Sequence, residues 1–372
     1  MSGAASHRRP VGIFYRYSAE PMGQGVADLA LARALAGARA TMRIDAVPVR
    51  PVRAASGAGR RFPVTRASRL SRPLQRYLGA ALYRGFSLVH RLDLRLPPAP
   101  APEVVTVYDL APMRFADEGA VPRLALDSIL RAGAVVTCSR FIAAEIRGWS
   151  GREDVEVVPL GTDEAFLAGS DAPTKELRER LRLTDRWVLH AGGVTRRKNL
   201  GLLARAWPEV RSRHPDVTLV LCGPDDRRRA ELFRGLDGIR LVGRVPRADF
   251  VSLMAGASAV VVPSLYEGYG LPVQEAMALG VPVVAVDAAS VPEVAGAATI
   301  LVANDPAALA AGVLQALAGL PRDLLDQDRE TARTRTWGAT AERYVEIYQR
   351  LLFTPFTAAV GQFDLVGGSR DA

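Results

Sequence analysis

The chain has 372 residues, 49% hydrophobic and 23% charged, with 48 Lys plus Arg against 39 Asp plus Glu. At roughly 150 residues per domain this predicts two domains of ordinary globular composition, and it excludes wholesale disorder. Two cysteines, Cys138 and Cys222, exclude a disulfide framework and a zinc cluster, and they read as reduced core thiols of a cytoplasmic protein.

The longest uncharged stretch, residues 250–266, has 17 residues and contains Pro263. A membrane-spanning helix needs about 20 apolar residues, so no span is expected. The start, MSGAASHRRP, carries charge without a following apolar run of signal-peptide length, so no leader is expected. Positive charge is unevenly placed: residues 1–165 hold 23 Arg against 15 acidic residues, whereas the remainder holds 25 basic and 24 acidic residues. Between Asp45 and Asp93 there are ten arginines, at positions 50–91, and no acidic residue. Such a stretch either attracts anions, acidic lipid head groups among them, or stands as a solvated loop in an arginine-biased chain. Nucleic acid is not an expected partner, because aromatics are sparse there and no reader motif accompanies the charge.

Short apolar runs alternate with amphipathic ones. Strands are predicted over 11–15, 42–47, 87–90, 104–107, 134–138 and 155–158. Helices are predicted over 26–36, 72–84, 121–132 and 139–148, the last with Ser139 as N-cap. A charged, turn-rich segment, 161–186, reads as a linker with a short helix over 175–183. The alternation then resumes, with strands over 187–191, 217–222, 239–242, 259–262, 282–286 and 299–302. Helices over 200–213, 226–236, 247–256, 272–279, 290–295 and 306–319 lie between and after them. Trp337, Tyr344, Tyr348, Leu351 and Leu352 mark a final amphipathic helix, and the last fifteen or so residues read as a frayed end. The expected fold is therefore α/β, two doubly wound, Rossmann-like parallel-sheet domains facing across a cleft. The expected division is 1–165, 166–340, and a C-terminal segment 341–372 whose helix packs back on the first domain.

The strongest chemical pattern is PSLYEGYGLPVQEA at 263–276. It follows a buried strand and enters a helix with Pro272 near N1, where the missing N–H costs nothing. Gly268 and Gly270 allow close backbone approach, and the helix start offers N–H groups to an anion. Glu267 in the loop and Glu275 one turn into the helix can border one ligand, each accepting from a pair of vicinal hydroxyls. Lys198 is one of only two lysines, and it stands beside Arg197 just before a helix that begins at Asn199.

This segment resembles the Glu-x7-Glu signature of the retaining glycosyltransferases of family 4, which have the GT-B fold. HAGGVTRRKN at 190–199 is similar to the family's glycine turn and basic phosphate motif, and LVGRV at 241–245 to the strand end that holds the base. VYDLAP at 107–112, Cys138-Ser139 and VPLGTD at 158–163 match landmarks of the first domain. The resemblance implies a hexose carried from GDP-mannose or a UDP-hexose to a glycan, lipid-linked or small-molecule acceptor, with retention at the anomeric carbon. It implies that Glu275 binds the ribose, Glu267 the donor sugar, and Arg197 and Lys198 the diphosphate. Main-chain groups of Gly268, Tyr269, Gly270 and Leu271 would hold phosphate and sugar, and Val245 would meet the base. Gly193 belongs to the phosphate turn, and Gly23 and Gly25 would approach the phosphate from the other domain. The family's charge work is done by such cations, so no metal or other cofactor is expected.

Two positions depart from the family pattern. Gly193 stands where an arginine is common, five residues before Lys198. Tyr108-Asp109 stands where His-Asp is usual, and a phenol of pKa about 10 would act by hydrogen bonding rather than as a base. His90 and His190, near strand ends, are the other candidates for that role, and each reads first as a partly buried structural imidazole. Asp326-Gln-Asp328 reads as a solvated helical face rather than a metal clamp. Two rival functions are a catalytically silent GT-B sugar-nucleotide-binding module and an anionic-surface binder acting through residues 50–91. The second would add peripheral membrane contact.

Overall fold

The structure, a computed structural model, describes residues 10–18, 23–38, 42–53, 57–67, 70–100, 102–121, 123–171 and 173–353. Seven strands form the first sheet: β1 (Val11–Arg16), β2 (Ile44–Arg50), β3 (Arg60–Arg61), β4 (Leu88–Arg91), β5 (Glu103–Val107), β6 (Ala134–Thr137) and β7 (Val155–Val157). Six form the second: β8 (Arg186–Ala191), β9 (Val217–Cys222), β10 (Ile239–Gly243), β11 (Ala259–Val262), β12 (Val283–Val286) and β13 (Thr299–Val302). The spatial orders are β3-β2-β1-β4-β5-β6-β7 and β10-β9-β8-β11-β12-β13. Every neighbouring pair is parallel.

These strands are legible because helices cover both faces of each sheet. VTLVLC of β9 and EVVTV of β5 are buried at every position, the continuous pattern of a parallel strand covered on two sides. In each sheet the order reverses once, between β1 and β4 and between β8 and β11. Chains leave such neighbouring strands in opposite directions and open a crevice at their carboxyl ends.

The helix Trp337–Phe353 returns to the first sheet, burying Tyr344, Ile347 and Tyr348 against Val11, Leu31, Leu88 and Val104. A polar thread runs through this contact. His90 Nδ1 lies 2.6 Å from the Tyr348 hydroxyl, His90 Nε2 lies 2.7 Å from Thr106 Oγ1, and Thr106 Oγ1 lies 2.8 Å from the Tyr344 hydroxyl. Burial pushes the His90 pKa down to about 3, so the imidazole is neutral and structural.

Several expectations need correction. Asp328 is buried, not solvated: its carboxylate accepts the Ala298 N–H at 3.2 Å, while Asp326 faces outward and pairs with Arg329. The arginine-rich stretch is not one loop. Arg91 is fully buried and donates to Glu103, Arg60 sits on β3 and donates to the carbonyls of Leu82 and Arg84, and Arg72 pairs with Asp127. Residues 54–56 and 68–69 of that stretch, and the expected frayed end at 354–372, lie outside the described residues. The helix expected over 226–236 is only Arg227–Leu232, because the chain turns at Gly235 with φ 76°. Short elements at Ala111–Arg114, Ala116–Glu118 and Glu164–Leu167 have no counterpart among the expected helices. No single helix among the described residues is long and apolar enough to cross a membrane.

Ile347→Ala tests the return helix. The side chain is buried in the first-sheet core, so truncation should cost about 2–4 kcal/mol in urea unfolding.

Candidate active site

The two crevices face each other across a cavity of about 1140 Å³. This exceeds the roughly 300–1,000 Å³ typical of a single small-molecule site, so there is room for two substrates. The first sheet contributes Gly23, Asp93, Arg95, Tyr108, Asp109 and Glu118 to its wall. The second contributes Gly192, Gly193, Arg197, Lys198, Val245, the run 267–272 and Glu275.

Glu267 sits at the centre, on the loop leaving β11. Its Oε1 accepts from Lys198 Nζ at 2.6 Å, and its Oε2 from Arg197 Nη1 at 3.2 Å. Both cations lie on the 3₁₀ turn Arg196–Lys198, which follows β8, the strand beside β11. Burial by itself would raise the Glu267 pKa, but Lys198 and Arg197 outweigh it and hold the carboxyl below its ordinary range. Glu267 is therefore a buried anion fixed between two cations. The same turn is tied to the loop by main chain, Leu265 N–H donating to Arg197 C=O at 2.8 Å.

Glu275 lies one turn into the helix Leu271–Leu279 and has a different environment. Its nearest cation, Arg247, stands 3.4 Å away and is shared with Asp163, 2.7 Å from the guanidinium. Burial dominates and raises the pKa to about 7, against the pull of Arg247. One carboxylate is thus charged at neutral pH, while the other titrates near neutrality.

The loop between them is clamped to the first domain. Gly268 C=O accepts from Ser139 Oγ at 2.8 Å, and a Cβ on Gly268 would stand 2.0 Å from Tyr108 C=O. The Tyr266 hydroxyl accepts the Leu110 N–H at 3.0 Å and donates to Glu145. Glu293, from the second domain, accepts the N–H groups of Arg140 and Phe141 at 2.8 and 2.6 Å, opening the helix Arg140–Ser150 of the first. Gly270, at φ 108°, then caps the helix Leu271–Leu279 and turns its start toward the cavity.

The residues named from sequence come together here with one exception. Gly25 lies inside the helix Gln24–Gly37 and off the cavity wall, whereas Gly23, at φ 48°, is on it. Gly193 is on the wall with nothing within 4 Å of a Cβ placed there, so the position has room for a side chain. The Tyr269 ring is buried, its hydroxyl lies 2.7 Å from Gln274 Oε1, and its carbonyl accepts from Ser290 Oγ at 2.9 Å. Tyr108 is buried too, and burial first, then Asp28, push its phenol well above the ordinary value, so it is not a base. Asp109 is raised by burial and pulled down by Arg197, and its Oδ1 accepts the Ala111 N–H at 3.0 Å. His190 donates from Nδ1 to Val261 C=O at 3.1 Å and, with its pKa lowered by burial to about 4, supports β8 as a neutral ring.

Sequence reasoning missed Glu118, Arg229 and Arg247. Glu118 Oε1 accepts from Arg197 Nε at 2.6 Å, across 79 positions of sequence. Arg229 is buried beneath the glycine turn and donates to Gly192 C=O. None of the three belongs to a recognisable local motif. Among the described residues no group of three or more His, Cys, Asp and Glu is placed to hold a metal ion.

Residues 185–319, the span of the second sheet, match the family described as glycosyl transferases group 1. The chain is 35% identical over 205 residues to an O-antigen chain mannosyltransferase B of Escherichia coli, covering 51% of this chain and 53% of that protein. It is 31% identical over 214 residues to an MMP α-(1→4)-mannosyltransferase of Mycolicibacterium hassiacum, covering 54% and 49%. These matches span about half the length of the relatives. The Anabaena protein HepE, solved with UDP-glucose, superposes with a TM-score of 0.72 at 20% identity, covering 92% of this chain and all of that one. The likeness extends over both sheets, and the fold is GT-B.

Two measurements test the geometry. Gly268→Ala must push against the Tyr108 carbonyl and should cost about 1–3 kcal/mol, whereas Gly193→Ala should leave the melting temperature unchanged. For Glu275 the folded pKa lies above the unfolded value, so its stabilising effect is complete below about pH 4.5 and is lost as pH rises through about 7. Glu275→Gln should therefore match wild type at pH 4.5 and exceed it by roughly 2–3 kcal/mol at pH 8. Parallel thermal melts at the two pH values read this directly.

Proposed function

We propose that this chain is a retaining glycosyltransferase that moves a hexose from a nucleotide-sugar donor on the second sheet to an acceptor hydroxyl on the first. The observation that carries the reading is the Glu267–Lys198–Arg197 cluster at the β8/β11 crevice, 2.6 and 3.2 Å across its two pairs. A departing nucleoside diphosphate gains negative charge, and fixed cations in a closed cleft stabilise that charge best. Arg197 and Lys198 supply them, and no metal is invoked. Glu267, kept ionised, accepts from donor-sugar hydroxyls. Glu275 accepts from the ribose, and Val245 with its neighbours borders the base. The names of the two mannosyltransferase relatives make GDP-mannose the first donor to test, with UDP-glucose beside it. A glycan, free or lipid-linked, is the acceptor those names favour.

In the proposed reaction the bond from the anomeric carbon to the phosphate oxygen breaks first, leaving an oxocarbenium-like centre. The acceptor oxygen then bonds that carbon on the same face. Its proton passes to the departing diphosphate oxygen. Glu267 is already paired with two cations and poorly disposed to act as a nucleophile, which supports this front-side route over a covalent intermediate. A catalytically silent sugar-nucleotide-binding module is the rival, and donor hydrolysis or transfer by the purified protein would exclude it.

Titration calorimetry with nucleoside, nucleoside diphosphate and intact donor separates the roles. At pH 8, where Glu275 is ionised, Glu275→Gln should weaken donor and diphosphate alike, by about 1.5–3 kcal/mol for a lost charge-assisted hydrogen bond. Glu267→Gln removes an anion paired with both cations, so it should not weaken the diphosphate and should depress turnover. Lys198→Ala should weaken donor and diphosphate while the nucleoside binds as before. Reversal of the first two results would exchange the assignments of the carboxylates.

We also propose peripheral contact with an anionic membrane from the cytoplasmic side, through the outer face of the helix Arg72–Leu82. Leu74 and Tyr77 are 43% and 72% exposed there, beside the exposed Arg76. Vesicles rich in acidic lipid should retain the protein at low salt and release it as the Debye length falls below about 8 Å. Equal recovery with neutral vesicles would rule the contact out.

A further inference from the structure

Arg197 is held between two carboxylates that come from different domains. Its Nε donates to Glu118 Oε1 at 2.6 Å, and its Nη1 to Glu267 Oε2 at 3.2 Å. Glu118 ends the 3₁₀ turn Ala116–Glu118 of the first domain, and Arg197 lies in the turn Arg196–Lys198 of the second.

The two carboxylates are not equivalent. The Glu267 side chain is 8% exposed, is gripped by Lys198 as well, and belongs to a residue whose carbonyl accepts from Ser290 Oγ at 2.8 Å. The Glu118 side chain is 19% exposed, and among the described residues its ion pair is with Arg197 alone. Its neighbour Asp117 plays a separate part, because its Oδ2 accepts the Arg196 N–H at 2.7 Å and so docks the turn by main chain. The Glu118 side chain can therefore swing away while Asp117 keeps the turn in place.

Charge favours such a movement if the cleft takes a diphosphate. Arg197 and Lys198 are already neutralised by Glu267 and Glu118, and Asp109 lies close enough to Arg197 to feel its charge. Further anionic charge on the same cations would leave a surplus in a shielded site, where an unpaired charge is costly. Release of one resident anion relieves that surplus. Glu118 is the one held by a single ion pair.

We propose that Glu118 is a built-in stand-in for the donor's diphosphate: it occupies Arg197, and the donor displaces it. The role rests on the donor-site reading above and deepens it. Glu118 keeps the guanidinium aimed into the cleft and masks its charge from weaker anions. It also ties donor entry to a contact between the two domains. Displacing a paired carboxylate lowers the apparent affinity for every ligand that needs Arg197, and for no ligand that does not.

The test is calorimetry with UDP, GDP, inorganic pyrophosphate, uridine and guanosine on wild type, Glu118→Gln and Asp117→Asn. Glu118→Gln should bind the nucleoside diphosphate and pyrophosphate about three- to tenfold more tightly, tenfold being about 1.4 kcal/mol. Its affinity for the bare nucleosides should not change, a split that a general loosening of the domain contact would not produce. Glu118→Ala, which also removes the charge, should move the same way and guards against a fault peculiar to one variant. Asp117→Asn should leave the ratio of diphosphate to nucleoside affinity at the wild-type value. Diphosphate affinity equal to or below wild type in both Glu118 variants would overturn the proposal and make Glu118 a ligand of the donor or a simple domain contact. Failure of wild type and variants alike to bind UDP or GDP would instead refute the donor-site reading, and this inference with it.

Discussion

A carboxylate buried where two sheets meet has to be neutralised, and the neutralisation of Glu267 governs most of what surrounds it. An ionised side chain out of water is tolerable only when paired and hydrogen-bonded. Lys198 and Arg197 meet that demand, and they can do so because β8 and β11 are neighbours at the point where strand order reverses. The turn after β8 must then lie against the loop after β11, and the bond from Leu265 N–H to Arg197 C=O records the contact. Arg197 in turn reaches Glu118 and joins the second domain to the first. One buried charge thus holds two loops of the second domain together and, through Arg197, links them to the first.

The two glutamates of one motif illustrate how neighbours decide chemistry. They share a loop and a helix start, and both are buried, yet only Glu267 has two cations within hydrogen-bond reach. Glu275 has Arg247 at 3.4 Å, already engaged by Asp163. Burial alone pushes both carboxyls the same way, and the cations divide them. Such a split between paired groups gives one a fixed charge and the other a proton that can come and go near neutrality.

Much of the fold was legible because a doubly covered parallel sheet writes itself as continuous apolar runs. The edge strand Arg60–Arg61 left no such trace, since two arginines pair there through main chain alone. Asp328 carries a local pattern of a solvated helix and is nevertheless buried, because its partner, Ala298 N–H, comes from the segment before β13. At the cleft, the residues of compact motifs could be named in advance: Glu267, Glu275, Lys198 and the glycines. Glu118, Arg229 and Arg247 could not, since their partners lie 79, 37 and 28 positions away and no periodicity links them. Gly25 shows the converse fault, a motif position that the helix Gln24–Gly37 carries off the cavity wall.

The return of the last helix to the first sheet gives the molecule a discontinuous domain. Residues 337–353 complete a core begun at Val11, so that core cannot close until the second domain has been synthesised. Contacts of such long sequence separation form late, and the first sheet spends that interval with an apolar face exposed. The arrangement also means that the chain crosses between domains twice. The crossings lie side by side, Thr162 N–H donating to Arg335 C=O at 2.6 Å and Thr162 bridging to Thr336. Gly161 fits against Trp337 so closely that a Cβ would stand 2.2 Å from its main-chain nitrogen. Two adjacent strands form a stiffer hinge than one. They oppose a twist of one domain against the other, at the end of the molecule's interdomain contact where Thr162 meets Arg335 and Thr336.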